Sequence, residues 1–306
     1  MSLLSAVFSA TTLAQTVRMA VPYACAGLGG VWCERSGVAN IALEGMMLAA
    51  GLGGVVAHLA TGSAWLGVVA GLIVGACLGA AHALLVVRGR VDAIVSGLAI
   101  NLIAAGGTRF ALRALYESSS NSPPVDGFRN VFLGGAGGVA LLARTIVDPL
   151  TIATATLALG AVWTLGHTRF GLHVRACGDD ADAAASAGVA VERVRLTAVS
   201  LGGAICGLGG VALAYDQHQF QSGMSGGRGF IALAAVILAG TRPGRTVAAC
   251  GAFAALDAVQ IVVQDQVRAA SALAQMLPYA ATLFAMYAIG QRRIHARRDA
   301  RATTSL

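Results

Sequence analysis

Charge is scarce in this chain: Asp, Glu, Lys and Arg make up 11% of its 306 residues, against about 25% in a soluble domain. Lysine is missing altogether, so all 21 basic residues are arginine. Aromatic residues are few, at 6%, and there are no serial segments of about 10 alternating residues, which excludes a transmembrane β-barrel. The six cysteines, Cys25, Cys33, Cys77, Cys177, Cys206 and Cys250, form no CxxC pair and sit mostly in apolar runs. They read as small packing residues rather than disulfides or metal ligands. The histidines have no ligand spacing either, so no metal site is expected. A GxxxxGK[ST] loop is absent, and the chain therefore cannot cradle ATP phosphates by that route. Paired carboxylates and nucleophile motifs are also lacking, which argues against an enzyme. The net charge of +7 is concentrated in short loops and the tail, as topology requires of a membrane protein, and nucleic-acid binding is not expected. The opening MSLLSAVFSATTLAQ has no basic residue before Arg18, so it does not read as a cleavable signal and the first apolar stretch is expected to be retained.

What fills the chain is apolar. Hydrophobic residues reach 57%, with a mean hydropathy of +0.73 and 40 glycines. That composition predicts an all-α, polytopic bundle of about eight to nine segments embedded in the lipid bilayer. Candidate spans are 4–32, 40–60, 64–87, 91–115, 149–168, 196–215, 229–240, 246–263 and 272–290. Two are irregular. The first is interrupted by Arg18 and Pro22, and 229–240 is too short to cross alone. With TRPGR at 241–245, the latter predicts a re-entrant or broken helix. Residues 1–290 form a single transmembrane domain and 291–306 a basic tail. Arg292, Arg293, Arg297, Arg298 and Arg301 in that tail place the C-terminus in the cytoplasm. Counting back through nine segments puts the polar insert 169–195 on the same side and the N-terminus outside.

Within the spans, Gly67, Gly71, Gly75 and Gly79 recur every four residues and form a groove for close helix packing. GLGGV occurs twice, at 27–31 and 207–211, each time ahead of a segment containing IAL and ending AG. Opposite directions of these two helices would make an inverted repeat of the kind that frames a substrate path. A chance match of glycine-rich strings is the alternative. Polar side chains inside spans are costly and face a cavity or a partner. Asn40, Glu44, Asn101, Asp257 and Gln260 are the candidates. On a helix, Asn40 and Glu44 would share a face. Glu44 then has two readings, a contact to substrate or a brace that pairs with Asn40 or Arg35.

The insert RFGLHVRACGDDADAAASAGVAVERVRL, residues 169–196, is dense in charge and ends an alanine-rich stretch at Gly188. It is either a solvated linker or a helix presented to a soluble partner. Asp182, Ala183, Ala184 and Gly188 fit the E/D-A-A-x-x-x-G pattern of the coupling loop in permease subunits of ABC importers. The blocks ERSGVANIALEGMMLAAG (34–51), RFGLHVRACGDDADAAASAGV (169–189), GRGFIALAAVILAGTRPG (227–244) and MLPYAATLF (276–284) together resemble the branched-chain amino acid, ribose and nucleoside permease group. They are most similar to its nucleoside and simple-sugar importers. Asp182 stands where the general pattern often has glutamate, and TRPGR carries two arginines where an apolar proline turn is expected.

The resemblance implies a transport subunit of a bacterial inner membrane that binds no cofactor of its own. A separate nucleotide-binding ATPase would hydrolyse ATP and dock on a coupling loop comprising Arg169, Gly171, Arg175, Gly178, Asp182, Ala183, Ala184 and Gly188. A second permease subunit, identical or paralogous, would complete the pathway, and a periplasmic or lipoprotein substrate-binding protein would deliver substrate. A branched-chain amino acid permease is the nearest alternative. A secondary transporter using Glu44 or Asp257 as a proton or ion site is the alternative of another class.

Overall fold

The computed structural model describes residues 8–128 and 137–266, together with Ala280 and Tyr287. The expected last span at 272–290 and the basic tail 291–306 lie outside the described residues. Among the described residues eleven helices follow in order: α1 (Ala10–Arg35), α2 (Leu43–Thr61), α3 (Ala64–Ala83), α4 (Ala93–Tyr116), α5 (Gly138–Val147), α6 (Pro149–His167), α7 (Arg169–Asp179), α8 (Ala181–Ser186), α9 (Val191–Asp216), α10 (Arg228–Leu238) and α11 (Pro243–Gln266). One π-helical turn, Leu84–Arg88, extends α3. Six of these segments are long and apolar enough to cross a bilayer, and the protein is a polytopic helical membrane bundle. No named strand occurs among the described residues.

Boundaries follow local chemistry. Ser9, Ser63, Asp92, Asp148 and Thr168 each cap a helix by accepting from first-turn amides, which satisfies donors that have no intrahelical partner. Pro149 and Pro243 open α6 and α11, where a missing N–H costs nothing. Pro22 does not break α1, and Arg18 pairs with Asp216 at the end of α9. The two features that made the first span irregular are thus absorbed inside one continuous helix. α9 begins at Val191, one turn and more before the expected Leu196.

α9 is the central post. Its glycines face three neighbours: Gly202 meets Gly29 of α1, Gly203 meets Gly75 of α3, and Gly210 meets Met47 of α2. A methyl group at any of these would strike backbone. The predicted row on α3 lies along this contact. A Cβ on Gly79 would come 2.6 Å from the Val199 carbonyl of α9, while one on Gly67 would come 2.7 Å from that of Gly54 and one on Gly71 3.2 Å from that of Ala50, both on α2. Close backbone approach of this kind supplies dispersion contact in a medium that offers no hydrophobic drive between helices.

Contacts fix direction. The ends of α1 and α3 lie against the start of α9, through Arg195 to Ser36 and Arg88 to Glu192, so α1 and α3 run antiparallel to α9. Near Cys206, in the middle of α9, the thiol donates to the Leu43 carbonyl at 3.1 Å. α2 therefore starts halfway up the bundle and runs towards Tyr215, where His58 packs edge-on. α10 also starts at that level and runs the other way, to Thr241, whose carbonyl accepts from Arg35 at 2.9 Å. Its 11 residues span about 16 Å, half of a hydrocarbon core of about 30 Å.

Candidate functional site: a junction of two helix N-termini and a presented loop

Residues 36–42 carry no α-helix although they climb the interior from Arg195 to Cys206 of α9. Eleven residues of α9 are about 16 Å, a reach that seven non-helical residues cover with slack. Backbone outside a helix survives at such depth only if other groups satisfy it, and here they do. Val38 N–H donates to Cys33 O at 3.2 Å, and Ala42 N–H to Asn40 Oδ1 at 2.9 Å. Asn101 Nδ2 donates to Ile41 O at 3.0 Å while its Oδ1 accepts from Gly45 N at 2.7 Å. His82 Nε2 lies 3.0 Å from Ala39 O and its Nδ1 2.9 Å from Ser96 Oγ. Because a carbonyl only accepts, Nε2 carries a proton, and in the neutral ring Nδ1 accepts from the hydroxyl.

Asn40 and Glu44 consequently do not share a helical face. Asn40 is buried in the unwound stretch, and only Glu44 lies on α2. The carboxylate of Glu44 accepts from the amides of Gly227 at 2.8 Å and Gly229 at 2.7 Å. It therefore caps α10, with neither Asn40 nor Arg35 as its partner. Two helix N-termini, those of α2 and α10, meet here and concentrate positive partial charge. Glu44 supplies the counter-charge. A Cβ on Gly229 would lie 2.5 Å from the Glu44 amide nitrogen, so glycine permits the approach.

Beside the junction, Arg228 lies 3.8 Å from Asp257 Oδ2, and the Tyr23 hydroxyl donates to the same oxygen at 2.8 Å. The guanidinium sits 5.9 Å from the centroid of the Tyr23 ring and donates to Met224 O at 3.1 Å. Its Nε is buried and has no partner among the described residues. Gln260 stands one turn beyond Asp257 on α11, half-buried. Of the five polar candidates, the structure brings Asn40, Glu44 and Asn101 together at the start of α2, and places Asp257 and Gln260 on α11 with Arg228. Sequence reasoning missed Arg228, His82 and Tyr23. Arg228 stands in the block 227–244, quoted only for its family resemblance, and an arginine at the head of a half-helix was the available signal.

A second polar feature lies at the end of the bundle away from α7 and α8. A cavity of about 500 Å³ there is lined by Arg18, Arg144, Asp148, Tyr215, Asp216 and His218 among others. Arg18 and Asp216 pair across it, and Asp148 caps α6 through Leu150 N at 2.9 Å. Burial raises the Asp148 carboxyl.

The polar insert forms α7 and the six-residue α8. Gly171 lets α7 close against Leu165 of α6, where a Cβ would come 2.7 Å from its Cα. Arg169 opens α7 and Arg175 lies in its second turn, with a buried Nε that makes no hydrogen bond among the described residues. Asp180 caps α8 through Asp182 N at 3.0 Å and Ala183 N at 2.9 Å. Ala184 is the buried residue of α8, while Asp182, Ala183 and residues 185–188 are exposed. Gly188 has φ +84° and ends the helix in the left-handed region, where glycine is at ease. Gly178 is demanded by space: a Cβ there would lie 2.9 Å from the Arg35 carbonyl carbon and 3.2 Å from Gly37 N.

Residues 12–286 match the family model described as the permease component of branched-chain amino acid transport systems. The chain belongs to this family. Among curated relatives, it is 37% identical to the "Putative glucose ABC transporter permease protein TsgC13" of Haloferax volcanii over 84% of this chain and 79% of that one. It is 32% identical to the guanosine ABC transporter permease protein NupQ of Bacillus subtilis, over 74% and 75%. It is 31% identical to the nucleoside ABC transporter permease protein NupC of Lactococcus lactis, over 87% of each.

Proposed function

We propose that this permease is the membrane subunit of an ATP-driven importer of nucleosides or simple sugars. The observation that carries the reading is the presentation of α8, anchored by Ala184 and otherwise exposed, at the end of the bundle from which residues 36–42 climb to the broken-helix junction. A nucleotide-binding ATPase docks on α7 and α8 and hydrolyses ATP; this chain binds no cofactor. A second permease subunit, identical or paralogous, completes the pathway, and an external binding protein delivers substrate. The membrane is the bacterial inner membrane, with the α7–α8 end and the C-terminus in the cytoplasm.

The polar groups suit a neutral, hydroxyl-rich substrate. The Gln260 amide, half-buried one turn from Asp257, offers hydrogen bonds without a strong net charge, since Asp257 offsets Arg228. An ion-coupled mechanism is disfavoured by the same geometry. Both Glu44 oxygens are held by backbone amides, and Asp257 by Tyr23 and Arg228. The names of the guanosine, nucleoside and glucose relatives support the substrate class over branched-chain amino acids.

Gly188→Pro tests the docking role. Proline cannot adopt φ +84° and removes the N–H that donates to Ala185 O at 2.9 Å. Ala184→Asp places a carboxylate at the buried foot of α8. Both variants are expected to insert into the membrane at the wild-type level, to lose ATPase co-purification, and to abolish uptake of labelled nucleoside or pentose. Uptake that persists in a variant that no longer binds the ATPase would refute the reading.

A further inference from the structure

Arg195 joins two helix ends that no sequence feature connects. Its Nε donates to Ser36 O, the C-cap carbonyl of α1, at 3.0 Å, and its Nη2 donates to Cys177 O, in the last turn of α7, at 3.1 Å. Both oxygens belong to helix C-termini, where carbonyls lack intrahelical partners and carry negative partial charge. A planar guanidinium satisfies two such acceptors in fixed geometry, which a lysine ammonium on a flexible stem does not. The surfaces so joined are in direct contact. Gly37, at φ +80°, leaves room for the guanidinium, since a Cβ there would lie 3.0 Å from Nη2 and 3.2 Å from Cys177 O.

From Ser36 the chain runs without a helix to Leu43, and the next residue, Glu44, holds the head of α10. The foot of α10 returns to the same place, because Arg35 donates to Thr241 O at 2.9 Å. The loop end of the molecule and the mid-depth junction are therefore linked by one short, well-satisfied run of backbone. We propose that Arg195 is the positioning residue that delivers movement of α7 and α8 to residues 36–42, and through them to the α2–α10 junction. Without it the loop still folds and still presents α8, but its displacement is absorbed at the Cys177–Ser36 contact instead of reaching the junction. The inference rests on the proposed importer function.

The test uses the full transporter, permease with ATPase and binding protein, in proteoliposomes, and reads ATP hydrolysed per substrate imported. Arg195→Ala, which removes both bonds, is expected to retain ATPase co-purification and to raise that ratio at least about tenfold, the factor that follows from losing even one hydrogen bond to a charged group. Arg195→Lys keeps charge but loses the fork, and falls between. Arg193→Ala, an exposed arginine on the same helix, leaves the ratio at wild type. A merely structural role would lower uptake, hydrolysis and recovered complex together. An unchanged ratio in both Arg195→Ala and Arg195→Lys, or a parallel loss of complex and both activities, would overturn the proposal. If the wild-type chain neither bound an ATPase nor imported substrate, the importer reading itself would fall, an outcome visible before any variant is made.

Discussion

Glu44 and Arg195 solve the same problem with opposite charge. At mid-depth a carboxylate accepts from the amides of Gly227 and Gly229, at the N-terminus of α10. At the loop end a guanidinium donates to Ser36 and Cys177 carbonyls, at the C-termini of α1 and α7. In each case a broken helix exposes backbone groups that lipid cannot satisfy, and one long side chain of the complementary sign reaches across from another helix. The difference lies in what surrounds them. The Glu44 junction is walled by buried elements and by Asn101 and His82, so each bond there is hard to replace. The Arg195 contact ties the end of α1 to the presented α7, with Ser36 and Cys177 themselves buried. The first braces the fold at mid-depth, and the second ties the start of residues 36–42 to the loop end.

The comparison breaks most visibly at Glu44. Glu44→Ala leaves two amides and two converging helix N-termini without counter-charge, a loss on the order of 3 kcal/mol. Thermal unfolding of the detergent-solubilised chain should show a clear fall in midpoint, with reduced membrane yield. Glu44→Gln keeps one acceptor oxygen and should recover about half of that loss. A Glu44→Ala chain as stable as wild type would remove the brace and return this carboxylate to the substrate path.

Asn101 supports the same junction with a neutral amide, so its removal should cost less. Asn101→Ala strands Ile41 O and Gly45 N, with an expected loss of about 2 kcal/mol. Asn101→Asp separates the two bonds, because a carboxylate still accepts from Gly45 but cannot donate to Ile41. Unfolding midpoints ordered wild type, Asp, Ala would place both bonds in the fold. An Asn101→Ala midpoint equal to that of wild type would mean that residues 36–42 are held by other contacts.

Much of this arrangement was legible because it follows from periodicity and composition. The apolar runs give the bundle, the four-residue glycine row on α3 gives one packing face, and the charged insert ending at Gly188 gives the presented α8. What stayed hidden depends on where the helix stops. The span expected at 40–60 puts Asn40 inside the helix, so Asn40 and Glu44 seemed to share a face. In fact the partners that unwind residues 36–42 come from His82 on α3 and Asn101 on α4, far along the chain. The same holds for Arg195. The insert that holds it reads only as dense in charge, whereas its role depends on two carbonyls 159 and 18 residues away. Local pattern predicts helices well, but the satisfaction of a break is a tertiary fact.

The smallest expected effect sharpens the contrast at the loop end. Arg88, at the close of the π turn after α3, pairs with Glu192 in the first turn of α9, about one turn from Arg195. Both side chains are largely exposed, at 63% and 46%, so the attraction is screened and the ordering of two long side chains offsets it. Arg88→Ala should therefore shift stability by about 0.5 kcal/mol or less and leave ATP hydrolysed per substrate at the wild-type value. Arg195 differs from its neighbour in acceptor rather than in charge, because it holds backbone carbonyls on two elements that must move together. If Arg88→Ala raised the coupling ratio as strongly as Arg195→Ala, the effect would belong to positive charge at this end of the bundle. The guanidinium bridge would then have no special standing.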